Sequence, residues 1–153
     1  MNKLYRNANN ELFVDPIFEN HEGLIEIDQV EFDTILSNLN KPTVKQLLSQ
    51  LSAARKEQER QGVTINDIRY AGDPGNRQAL QEAIAFMEDA GLTEFESWKD
   101  SDNQFHASHP LVVVVDAYQA IGARRAQLIA TEGEYAAQIT GGTFTDLSLV
   151  TWP

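Results

Sequence analysis

From Pro110 to about Ile139 the sequence reads as one long helix, and that rod limits what the rest of the chain can do. About 30 residues at 1.5 Å each give a length of ~45 Å, more than the core diameter of one domain built from 153 residues. Val114, Ile121, Leu128 and Tyr135 recur at heptad spacing, with Val115, Gly122, Ile129 and Ala136 beside them. Leu111, Tyr118 and Ile139 extend the stripe. Such a repeat suits helix-on-helix packing. Arg125 and Glu132 interrupt the seam, which favours packing inside the domain. The length still requires part of the rod to protrude or pair. Ser108 or His109 is the expected N-cap, with Pro110 in the first turn. Gly141-Gly142 stops the helix. Gly122 and Gly133 each cost about 1 kcal/mol relative to Ala, so each is expected to mark close packing or a bend.

Upstream, Thr43 and Gln46 form a capping box. Val44, Leu47, Leu48 and Leu51 then make an apolar stripe, followed by the wholly polar "RKEQERQ", Arg55 to Gln61. Such a helix projects or lies along a partner, and Gly62 ends it. "VTINDIRY", Val63 to Tyr70, reads as one strand. "GDPGNRQALQEAIAFMEDAG" gives a helix with Leu80, Ala83, Ile84 and Met87 on its apolar side, closed by Gly91. "TEFESWK" and "QFHAS" flank "DSDN" as a hairpin.

The first 40 residues are β-type and acidic. "KLYR" and "ELFV" flank the turn-rich "NANN", Asp15-Pro16 breaks the pattern, and "GLIEI" gives a further strand. A short helix is expected from Gln29 to Asn38, with Asp28 and Glu31 as its capping box and Phe32, Ile35, Leu36 and Leu39 at helical spacing. Eight acids against two bases give this quarter −6 of the formal −11. That field repels phosphate backbones, so no nucleic-acid partner is expected. No apolar window is long enough to span a bilayer, and no membrane partner is expected. The last eleven residues, "TFTDLSLVTWP", alternate in strand style and form an exposed apolar tail unless they dock.

The organisation expected is therefore α+β. An acidic N-terminal docking segment covers 1–40. An α+β body with a long terminal helix covers 41–140, and a strand-like tail covers 141–153.

Chemical motifs point away from catalysis. Gly72 and Gly75 in "AGDPGNR" are three apart, no Lys-Ser/Thr follows, and Asp73 would repel phosphate. Asp73 reads better as an N-cap with Pro74 at the first helical position. His106 and His109 have a spacing zinc ligands can use, but no third ligand is marked, and both read as surface cap residues. "DSDNQF" lacks the Gly and Glu of a calcium loop. The chain has no cysteine, and no serine-nucleophile elbow or kinase motif appears. Acid pairs such as Glu94/Glu96 are expected by chance among 23 acids. The expectation is no enzyme, no catalytic residue, no cofactor and no metal.

"GVTINDIRYAGDPGNRQALQEAI", "FESWKDSDNQFHASHP" and "AYQAIGARRAQLIATEGEY" resemble a small domain of tail-fibre gene clusters in tailed bacteriophages and prophages. The likeness covers residues 62–139 and departs at Asp67 and Asn103, where the resembled pattern often has Gly. The acidic start, "LYRNANNELFV…EGLIEIDQVEFDTIL", is similar to N-terminal segments of tail-fibre assembly and attachment proteins. The resemblance implies a non-enzymatic part of a virion tail, in the fibre, baseplate or tail-tip region, made in the host cytoplasm. Its partners would be other tail proteins, and it would be oligomeric in the assembly. A tail-fibre assembly chaperone and a tail-associated glycan or cell-wall hydrolase are the alternatives. The residues expected to dock are Leu4, Tyr5, Phe13, Phe18, Leu24 and Ile25 at one end, and Phe144, Leu147, Leu149 and Trp152 at the other.

Overall fold

A computed structural model describes residues 3–15 and 22–153. Pro16, Phe18 and His21 lie outside the described residues. The chain divides into two compact units, residues 1–43 and 44–153, so residues 141–153 belong with the body. The fold is α+β.

In the first unit, β1 (Leu4–Arg6) sits between β2 (Leu12–Val14) and β3 (Ile25–Ile27), both antiparallel to it. The Asn7 side chain accepts from the backbone N–H groups of Asn9 and Glu11, which closes the first turn. Helix α1 (Gln29–Leu39) follows, and the Asp28 carboxylate accepts from the Glu31 N–H at 2.8 Å. No residue of α1 is fully buried.

In the second unit, α2 (Val44–Gln61) leads into two short strands, β4 (Val63–Ile65) and β5 (Ile68–Tyr70). The single strand expected over Val63–Tyr70 is therefore a hairpin. Asn66 and Asp67 have φ of 51° and 63°. Two consecutive left-handed residues make the tight turn that matches strand twist. Asn and Asp adopt this region more readily than other side chains with a Cβ, which is how the chain turns there without glycine.

Helix α3 (Pro74–Asp89) starts as its sequence dictates: Asp73 accepts from the Asn76 N–H at 3.0 Å, and Pro74 opens the first turn. Strands β6 (Glu94–Lys99) and β7 (Phe105–Pro110) form the second hairpin, and α4 (Leu111–Thr140) completes the helices. The N-cap of α4 is Pro110, not Ser108 or His109, and it makes no side-chain cap bond. Strand β7 continues through those two residues.

Helix α4 uses its length within the unit. Its first half packs Val114, Ala117 and Ile121 against Tyr70 and Leu80, with Phe95 and Trp98 from β6 around them. Its last turns place Ile139 against Leu47 and Leu51 of α2. The polar half of α2 also lies along α4, which makes the expected partner this chain's own helix. A Cβ at Gly122 or Gly133 would meet nothing within 4 Å, so neither glycine serves close packing. The tail is not a strand. Leu147–Leu149 form a 3-10 turn started by Asp146, and Phe144, Leu147, Val150 and Trp152 fold over Leu47, Leu51 and Ile139.

Candidate docking surfaces and a buried charge cluster

The N-terminal residues expected to dock are part core, part surface. Tyr5 is buried with Ile27. Leu4, Phe13 and Leu24 are half-buried, and Ile25 is exposed. Beside them, Val30 is 74% exposed, and Leu36 and Leu39, both in the helically spaced apolar set, also face outward. This unit buries little, so its one helix keeps apolar side chains in solvent.

At the other end, Phe144, Leu147 and Trp152 are half-buried against their own body, and the Phe144 ring is tilted 54° to that of Tyr135 at 4.8 Å between ring centres. Leu149 alone of that group is exposed, at 65%.

The largest departure from expectation lies in "RKEQERQ". Glu59, in the polar half expected to project or to lie along a partner, is only 8% exposed. Arg55 pairs with both Glu59 and Glu132 of α4. Arg125 Nε of α4 lies 3.3 Å from Glu59, and Arg77 Nη1 of α3 lies 3.5 Å from it. Arg77 also donates to the Gly72 carbonyl at 2.6 Å. One carboxylate thus ties three helices. Removal of such an acid from water costs several kcal/mol, and three guanidinium groups offset that cost.

Backbone contact holds the same corner. The Gly62 N–H donates to the Glu59 carbonyl at 3.0 Å, and the Gly72 N–H donates to the Arg60 carbonyl at 3.4 Å. A Cβ at Gly72 would sit 2.2 Å from the Glu59 carbonyl oxygen, and one at Gly62 would sit 1.8 Å from the Tyr70 carbonyl oxygen. Gly72 in "AGDPGNR" is therefore required for close approach to the end of α2. Above this corner opens a cavity of about 370 Å³, walled by Arg55, Lys56, Arg60, Arg77 and Arg125, with Glu59, Asp73 and Pro74 in its lining.

A second polar cluster is internal. His109 is 4% exposed, not the surface cap residue expected, and its Nε2 lies 2.6 Å from the hydroxyl of Tyr70, itself 1% exposed. Trp98 stacks on the His109 ring at 5.7 Å. His106 Nε2 lies 2.9 Å from Asp100 on the hairpin. Burial pushes the Tyr70 hydroxyl up to about 12, with the Asp100 charge adding to it. Burial lowers the pKa of His109, as does the charge of His106. The His106 hydrogen bond lowers that of Asp100, helped by the N–H groups of Gln104 and Asp102. Among the described residues, no group of three or more His, Asp or Glu could hold a metal ion. No described helix is long and apolar enough to cross a membrane.

Residues 43–150 match the model of a family described as a domain of unknown function, DUF4376. The chain belongs to this family. The DUF4376 portion spans nearly all of the second unit and contains both polar clusters, the cavity and the folded-back tail up to Val150. No curated protein and no solved structure matches the chain.

Within the DUF4376 body, Glu59 and His109 were the residues pattern reading missed. The signal for Glu59 was faint: seven successive polar residues continue a helix whose first half is apolar, so one side of them must pass over the same core. For His109 strand alternation pointed the wrong way: it places His109 with the exposed Phe105 and Ala107, and the strand departs from that alternation at Ser108, whose φ is 48°.

Proposed function

We propose that this chain is a non-enzymatic structural protein of a bacteriophage tail, in the fibre, baseplate or tip region, and that it works by docking to neighbouring tail proteins. The observation that carries the docking part is α1: an eleven-residue helix with no buried side chain and with Val30, Leu36 and Leu39 outward. Isolated helices of this length are marginal in water, and apolar side chains on such a helix suit burial by a partner. In this reading residues 1–43 are the docking arm and the DUF4376 portion is the body.

The tail context rests on the resemblance of residues 62–139. Backbone geometry lends it support. Asp67 and Asn103, where the chain departs from a glycine-bearing pattern, have φ of 63° and 64°, the region glycine favours. Mass spectrometry of purified virions tests the proposal. The expected result is this protein in fixed copy number, a multiple of the tail symmetry. Absence from virions overturns it.

A further inference from the structure

Half of the chain's 12 bases gather at one corner of a molecule whose formal charge is −11. Arg55, Lys56, Arg60, Arg77 and Arg125 wall the 370 Å³ cavity, and Arg124 lies next to it in the crevice lined by Glu59 and Arg125. The acids among them are Glu57, Glu59, Asp73 and Glu132. Six cations against four carboxylates leave a local surplus of positive charge, against the sign of the whole chain.

The surplus can be located. Lys56 is exposed and makes no ion pair with a described residue. Among the described residues Arg124 has one hydrogen bond, to Gln58 at 3.3 Å, and its buried Nε has no partner. Arg125 leaves nearly half of its side chain in solvent while it touches Glu59. The cavity therefore presents Lys56 and the solvent-facing part of Arg125 above a fixed carboxylate, with Arg124 behind them.

We propose that this cavity is a carboxylate-binding site that takes Asp or Glu side chains from an acidic segment of a partner protein. The chemistry selects this class. Guanidinium groups match the planar carboxylate by paired N–H donors, and Glu59 already draws single contacts from three of them from within. Glu59 and Asp73 in the lining repel a doubly charged phosphate more than a singly charged carboxylate. A cavity of this size admits a side chain with part of its backbone. The inference concerns the body alone and does not depend on the tail reading or on the docking arm.

The test is an amide and arginine side-chain NMR titration of the full chain with a blocked tetraglutamate peptide. Blocked tetraglutamine and inorganic phosphate are the comparison probes. The expected result is a saturable shift confined to Lys56, Arg124, Arg125 and the Asp73–Pro74 turn, weakened at high salt. Lys56→Glu, at an exposed position, keeps the folded spectrum and weakens the peptide about tenfold, equivalent to ~1.4 kcal/mol. Lys56→Gln gives a smaller loss in the same direction. Shifts scattered over the surface, affinity unchanged in Lys56→Glu, or phosphate binding tighter than peptide each overturn the proposal. Salt-sensitive self-association of the free chain, abolished in Lys56→Glu, would assign the site to the acidic arm of a second copy and overturn a separate partner.

Discussion

The Tyr70 hydroxyl and His109 Nε2 meet at 2.6 Å inside the core, beneath Trp98. With the ring neutral and its proton on Nδ1, the phenol O–H donates and Nε2 accepts. That arrangement needs His109 neutral. Its pKa is lowered below the ordinary 6.5 by burial, so the unfolded chain binds its proton first as pH falls. Stability contributed by His109 is present above pH 6.5 and is lost as pH falls from there towards its lowered value. The Tm in buffers stepped down from neutrality should fall through that window, and His109→Gln should flatten the slope. An unchanged slope in the variant would remove His109 as its cause.

Tyr70 sets the other limit. Its hydroxyl is held up to about 12 against an ordinary 10.0. The unfolded chain therefore loses that proton first as pH rises, and stability falls from pH 10 towards 12. Tyr70→Phe should abolish this alkaline loss, readable by fluorescence-monitored urea unfolding at several alkaline pH values. It also leaves His109 without its donor, which costs about 1 kcal/mol at neutral pH.

Glu59→Ala leaves Arg55, Arg77 and Arg125 without the carboxylate they share. Breaking a buried pair on one side costs about 3 kcal/mol. Chemical denaturation should show a lower midpoint with an unchanged m-value. A loss below ~1 kcal/mol would mean that solvent already screens the cluster, as it does for exposed pairs.

The turn at Asn66-Asp67 offers a gain. Asp67→Gly relieves a left-handed residue and should add about 0.5 kcal/mol, whereas Asp67→Val should cost about 1–2 kcal/mol. Opposite shifts in Tm for the two variants are the expected pattern. A Val variant as stable as the parent would show that the hairpin is free to open.

Trp152→Ala tests the folded-back tail. A half-buried Trp that covers Leu47, Leu51 and Ile139 should contribute about 2 kcal/mol, roughly half of what a fully buried one does. Limited proteolysis should leave residues 141–153 attached to the body in the parent and clip them first in the variant. Clipping at equal rates in both would mean the tail contributes no stability.

Much of this fold was legible in local chemistry. Asp73-Pro74 announced α3, Asp28 and Glu31 announced α1, and "NANN" and "DSDN" announced hairpins, because caps and turns are decided within a few residues. The hairpin at Asn66-Asp67 was not legible, since neither residue is Gly and the flanking residues continue a strand-like run. The burial of Glu59 was hidden for a different reason. Three of its partners come from 4, 18 and 66 residues away, and only the packing of α2, α3 and α4 brings them together. The tail alternates like a strand, but alternation says nothing about whether an edge strand exists to pair with it, and the second unit offers only short hairpins.

The contact between Gly72 and the Glu59 carbonyl bears on how this corner can vary. Side chains do not set the spacing there; two stretches of main chain do. The floor of the cavity is thus fixed in position by backbone, while Lys56 and Arg60 at its rim are exposed and make no contact with Glu59. Those two charges can be exchanged without moving the floor, so related chains could tune which acidic segment they hold while keeping one geometry beneath it.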